Sequence, residues 1–237
     1  MLIRPFAVLG LVLGAQLAGC GLISSDVTNF DLALQPKKFT INAGSWQLDA
    51  DQASAYTSHS CAAMPTSCSE LVAQVCPMGC SGTCNTRQTC DLTLNVSLAQ
   101  PINLVTEHPE LKSINDQPVV KVEIDSVTYE VTSNSLNVDT PTITVFVAPS
   151  SVTSVDGLDD AAQAIGMIEP IQAGATTASP RPMKFTAAGE VALANIMGTF
   201  KTPFNVLIGT QILVTQGSKI PTGKLEAVVH INGHAGL

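Results

Sequence analysis

Cations are scarce in this chain: 11 Lys and Arg stand against 19 Asp and Glu, a formal charge of −8. Phosphate binding needs clustered Lys and Arg, so the composition excludes nucleic acid as a partner. No run of basic residues marks a patch for anionic lipid headgroups either. Aromatic residues make up only 4% of the chain, with Trp46 the one Trp, which argues against the stacking platforms that sugars and bases use. No apolar run reaches spanning length: residues 6–17 are too short and wrongly flanked for a spanning helix, and the nearest other candidate, residues 204–214, is interrupted by Gly209 and polar groups. Catalytic signatures are also missing. There is no H-E-x-x-H, no P-loop and no dinucleotide fingerprint. Gly79-Cys80-Ser81-Gly82-Thr83 fails the nucleophile-elbow pattern at its last position and sits between cysteines. The expectation is a protein with no catalytic residue, no metal and no cofactor.

The N-terminus carries the clearest signal. Arg4 supplies a positive charge, residues 6–17 are apolar, and small residues lead into a cysteine as Leu17-Ala18-Gly19-Cys20. This order resembles the lipobox of bacterial lipoproteins. The resemblance implies cleavage before Cys20, a diacylglycerol on its thiol and a fatty acid such as palmitate on the new amine. It makes residues 1–19 a signal peptide and Cys20 the lipidated residue, with the mature protein held at a bacterial membrane. Gly21, rather than Asp, follows the cysteine, and by the enteric sorting rule this leans toward the outer membrane. Two or more acyl chains give stable attachment where one does not. Removing 19 of 237 residues leaves 218, enough to bury a sizeable core. Residues 20–37 read as a tether and residues 38–237 as one β-rich domain. Phe30, Leu32 and Leu34 alternate within the tether and suit an edge strand.

Six further cysteines, Cys61, Cys68, Cys76, Cys80, Cys84 and Cys90, crowd into residues 61–90. An even number in an exported chain reads as a disulfide framework, with connectivity left open. The alternative is a metal site, but Cys76-x3-Cys80-x3-Cys84 lacks the C-x2-C spacing of common zinc modules. Few large apolar residues lie here, so the segment is expected to be a coreless insertion stapled by three bridges and projecting from the body. Ser67-x-x-Glu70 matches a capping box and predicts a short helix to Cys76; residues 79–84 have no regular pattern.

Period-two alternation dominates elsewhere. It predicts strands over residues 38–42, 92–98, 120–131, 143–147, 204–208, 212–214 and 225–231, with a bulge or sheet crossing near Ser126 where the parity shifts. Helices are expected from Asp156 through Leu158, Ala161, Ala162 and Ile165, and over residues 187–200. The second is apolar almost all round and is expected to be buried. The fold class predicted is mainly β, an antiparallel two-layer sandwich or curved sheet with two packed helices and the disulfide-rich insertion; α+β is the alternative.

The titratable clusters read as structural. His108-Pro109-Glu110 reads as an exposed turn. His230 and His234 have the H-x3-H spacing that could hold zinc on a helix, but here they read as a solvated strand end. Asp156, Asp159 and Asp160 lack the ligand alternation of a calcium loop and suit a helix start. Asn95-Val96-Ser97 matches a glycosylation sequon by pattern only. Two function classes follow: a membrane-tethered structural or protein-interaction module, and a carrier of an apolar ligand such as a lipid. Neither is an enzyme.

Overall fold

The computed structural model describes residues 29–113, 121–156 and 161–236. The expected signal peptide, Cys20, Asp159 and Asp160 lie outside them. Among the described residues strand makes up 43% against 21% helix, so the fold is mainly β, in two antiparallel sheets.

The first sheet is built on β11 (Lys224–Gly236), whose thirteen residues extend about 40 Å. Its partners are β5 (Lys121–Asn134) on one side and, on the other, β2 (Lys37–Asn42) and β1 (Asn29–Asp31) laid end to end. Leu225, Val229, Ile231 and Ala235 face the core, while Glu226, His230, Asn232 and His234 alternate outward. The bulge expected near Ser126 is present, a register shift opposite Asn232 and Gly233. It does not turn the apolar set to the other face. Val122 and Val127 pair with Ala235 and Ile231, and all four are buried together, because the extra residue restores the parity.

The second sheet runs β3 (Cys80–Cys84), β4 (Cys90–Ile102), β10 (Phe204–Val214), β6 (Ile143–Pro149), β7 (Gln163–Ile168) and β9 (Lys184–Phe185). Sequence reading divides β10 in two at Gly209, yet it is one strand. It is buried on both faces from Phe204 to Thr210, which erases the alternation. The outer face is covered by residues 150–156. Asn205 Nδ2 donates to the carbonyls of Ser150 (3.1 Å) and Val152 (2.7 Å), and Ser97 Oγ accepts from Val155 N (2.8 Å). Leu207 and Ala148 are fully buried beneath this strap, outside the main core. A side chain at Gly209 would meet Val155 at 3.0 Å, so glycine lets the strap lie close.

Residues 181–185 join the sheets along one side. β8 (Arg181–Pro182) pairs with β5, Met183 N donates to Val127 O (2.9 Å), and β9 pairs with β7. On the other side Gln100 Nε2 donates to Lys38 O (2.8 Å), linking β4 to β2. One core fills the space between.

Of the two large helices expected, only the second forms. α4 (Ala187–Gly198) is capped by Thr186, whose Oγ1 accepts from Gly189 N (2.9 Å). It is not buried all round: Gly189, Leu193 and Met197 face inward, whereas Val191 is 59% exposed. The helix expected through Ile165 is instead β7, paired to β6 through a bulge. A short apolar run carries either period, and the free edge of β6 decided it. Three more α-helices, α1 (Ala50–Thr57), α2 (Ser67–Val75) and α3 (Leu104–Glu107), and two 3-10 helices, Ala43–Trp46 and Pro109–Ser113, complete the helical elements among the described residues.

Candidate functional site

The six cysteines pair as Cys61–Cys84, Cys68–Cys90 and Cys76–Cys80. The sulfurs of Cys61, Cys68 and Cys84 lie within 4.8 Å of one another, which reflects two adjacent disulfides; bonded sulfurs are not thiolate ligands.

The segment they staple is neither coreless nor projecting, contrary to the sequence expectation. Residues 80–84, read as irregular, form β3 and extend the second sheet by pairing with β4, Cys84 opposite Cys90. Ser60 bridges Thr89 on the neighbouring edge, and Cys61 N donates to Gln88 O (2.9 Å). Cys61, Cys68, Cys76 and Cys90 join Trp46, Ala53 and Tyr56 in the main core. The signal overlooked is α1, which brings Ala53 and Tyr56. Asp49 caps it by accepting from Gln52 N (2.9 Å), a carboxylate–backbone contact legible in Asp49-x-x-Gln52. The capping box expected at Ser67 is absent. Thr66 precedes the helix without a side-chain bond, Ser67 is its first residue, and Ser67 Oγ is buried without a partner.

Tyr56 is the centre of this module. Its Oη donates to Cys68 O (2.8 Å), and burial, aided by the nearby charge of Asp91, pushes its phenol up to about 12. Gly82 makes the approach fit: a side chain there would fall 1.8 Å from Tyr56 Oη and 2.5 Å from Cys68 O. Trp46 closes the other flank, its indole donating to Asn95 O (3.2 Å). Met64 and Met78 are exposed, at 55% and 64%, and a groove of about 390 Å³ opens between α1 and α2, lined by Gln52, His59, Leu71 and Gln74.

The opposite pole gathers the N-terminal chain. β4 starts at Cys90 inside the module and runs away from it to Ile102, which opposes Phe204. α3 follows, and Glu107 holds the incoming chain through Lys37 Nζ (2.5 Å) and Gln35 N (3.0 Å). His108 is mostly covered rather than exposed, linking Ala33 O (3.1 Å) and Glu110 (3.0 Å). Leu32 and Leu34 are buried, and their amides donate to Gly233 O and Ile231 O. The edge strand expected in the tether is thus real, and the chain is docked from Asn29 onward.

His230 and His234 do not converge on a metal. Both sit on the outward face of β11, four residues or about 13 Å apart in an extended strand. His234 is held by Asp125 (2.9 Å) and Glu123 (3.3 Å). His230 Nε2 is buried without a partner. Asp156 accepts from Ser154 Oγ (3.1 Å) and caps no described helix. Asn95 and Ser97 lie on β4, tied to Gln211 and Ser154. No family model matches the chain, and no curated protein is detectably similar to it.

Proposed function

We propose that this is an exported, lipid-anchored protein whose folded body acts as a structural or protein-interaction module, tethered through Cys20 to a bacterial membrane, the outer membrane by the Gly21 criterion. The observation that carries this reading is polar separation. Residue 29 emerges beside Gly236, where β1 meets the far end of β11, and the disulfide-bonded module lies at the other end of the same long strands. An anchor on Cys20 would present α1, α2 and β3 outward, with Met64 and Met78 as adaptable apolar contacts. The non-catalytic reading draws on three titratable residues held in structural contacts: Glu107 and His108 clamp the N-terminal chain, and His234 crosses from β11 to β5.

A second reading, a carrier of an apolar ligand, is supported by a groove of about 500 Å³ beside α4, bordered by Val147, Ala161, Val191 and Ile196. Fractionation tests the anchor: Cys20→Ser should leave the chain unprocessed or soluble, and membrane association as efficient as the native protein's would refute it. Photocrosslinkers at Met64 and Met78 test the module; a discrete, saturable adduct on membranes supports interaction. Native mass spectra of the gently extracted protein separate the readings, since a stoichiometric lipid beyond the anchor favours the carrier.

A further inference from the structure

Residues 169–181 build a recess that neither reading of the body uses. The chain leaves β7, passes alongside β5 and returns to it as β8. This arch is fixed along its length. Ile171 N donates to Thr140 Oγ1 (3.1 Å), Asn134 Nδ2 donates to the carbonyls of Gln172 and Ala175 (3.0 Å each), and Thr177 N donates to Val131 O (3.2 Å). Against β5 it leaves a preformed cleft of about 320 Å³, at the small end of ligand sites. Val131 and Ile171 give the cleft apolar walls, and Tyr129, Thr177 and Arg181 bring polar groups to it.

Two of these groups are left over from the contacts of the fold. Tyr129 is 5% exposed, and its Oη has no hydrogen-bond partner among the described residues. A phenol buried to that degree ordinarily finds one. It is not one of the two atoms sealed off without a partner, Ser67 Oγ and His230 Nε2, so it opens on the cleft that it lines. Arg181 lies directly opposite Tyr129 in the β5–β8 pairing, which sends both side chains to one face. Its guanidinium forms no hydrogen bond or ion pair among the described residues. The neighbouring cation is engaged: Lys184 Nζ is bound to Glu169 (2.5 Å). That bond, and at longer range the charge of Arg181, holds the Glu169 carboxyl below the usual range. Two cations less one anion leave +1 here, carried by the Arg181 fork. Thr177 adds a donor, because its Oγ1 accepts from Val131 N (3.0 Å) and its hydroxyl hydrogen is free to turn into the cleft.

We infer that this cleft binds a small organic monocarboxylate, held by Arg181 at the rim and by the hydroxyls of Tyr129 and Thr177 within. The planar guanidinium fork matches a carboxylate through two parallel N–H···O bonds. One uncompensated cation suits one negative charge, whereas a phosphate dianion would meet Glu169 with no second free cation to offset it. The size of the cleft fits a hydroxy acid, an amino acid or the last residue of a peptide. Glu169 and Gln172, both exposed at the entrance, can accept from a hydroxyl or amine on such a ligand. The site shares no residue with the disulfide-bonded module and does not depend on Cys20.

The experiment follows the full chain, isotopically labelled and in detergent, by nuclear magnetic resonance. The probes are lactate, alanine, N-acetyl-alanyl-alanine, the C-terminal amide of that peptide, and inorganic phosphate. Saturable shifts confined to the Tyr129 ring and the amides of residues 170–181 are expected with a carboxylate and not with the amide. Lactate or alanine alone marks a free small acid as the ligand; the peptide alone marks a chain end. Arg181→Gln should weaken that binding about tenfold or more, and Tyr129→Phe roughly three- to tenfold, both with unchanged circular dichroism. Arg181 is exposed, so its variant keeps the fold even where the phenol proves structural. No saturable shift with any carboxylate overturns the inference. So does an affinity unchanged by Arg181→Gln, binding of the amide equal to that of the acid, or phosphate bound more tightly than every carboxylate.

Discussion

Tyr56 and Gly82 form the tightest contact in the disulfide module, and its energetics can be separated. Tyr56→Phe removes the donor to Cys68 O and leaves that carbonyl buried, so chemical denaturation should report a loss of about 1–2 kcal/mol. The pH dependence has a definite sign. A phenol held near 12 in the fold, against 10.0 for its ordinary value, makes the folded state the tighter proton binder. Its contribution is complete below pH 10 and is lost as the pH rises toward 12. The slope of stability against pH in that window should shrink in the Phe variant; an identical slope would assign it elsewhere. Gly82→Ala should cost more than Tyr56→Phe, about 3 kcal/mol, because its methyl group meets a backbone carbonyl as well as the phenol. The Lys37–Glu107 pair belongs to the same scale. Its side chains are only 11% and 10% exposed, so Glu107→Gln should weaken the hold on residues 33–37, seen as faster amide exchange at Gln35.

At the scale of elements, the three disulfides are not equivalent. Cys61–Cys84 and Cys68–Cys90 close loops across 23 and 22 residues, whereas Cys76–Cys80 closes one of 4. In the chain-entropy model the long bridges contribute roughly 3 kcal/mol each and the short one roughly 2. Paired Ser substitutions should preserve this order in thermal melts, and thiol counting on denatured, unreduced mature protein should find none free. Because β3 belongs to the sheet, loss of the long bridges should loosen β4 as well, which a merely appended knot would not do. The strap makes a second element-scale prediction. Asn205→Ala leaves the carbonyls of Ser150 and Val152 without their donor and should cost about 2 kcal/mol, with exchange protection lost over residues 150–156 and retained in β11.

For the whole molecule, the two poles define the consequence of anchoring. With the proposed anchor on Cys20, long strands of about 40 Å between the Asn29 end and the module would place the disulfide-bonded end well clear of a membrane surface. Limited proteolysis of the vesicle-bound protein should therefore cut at Met64 or Met78 level only after reduction, since the oxidised segment is integrated with the core. The residues near Asn29 should be protected by their pairing to β11 in either redox state.

Several features were legible from residue order alone, because each rests on local chemistry. Alternation located β2, β4, β5, β6 and β11, the parity shift located the bulge beside Ser126, and cysteine parity anticipated the bridges. What only the tertiary structure decided depends on neighbours distant in sequence. Whether residues 163–168 become helix or strand turns on the free edge of β6, and whether β10 is one strand or two turns on a strap that covers its outer face. The integration of the cysteine segment depends on α1 and on the missing side chain at Gly82, and the exposure of α4 depends on how closely Gly189 lets it approach β7. Hydrophobic periodicity records that a face is covered but not what covers it. Long-range packing supplies that answer, and it turned a helix with the composition of a core into a surface face.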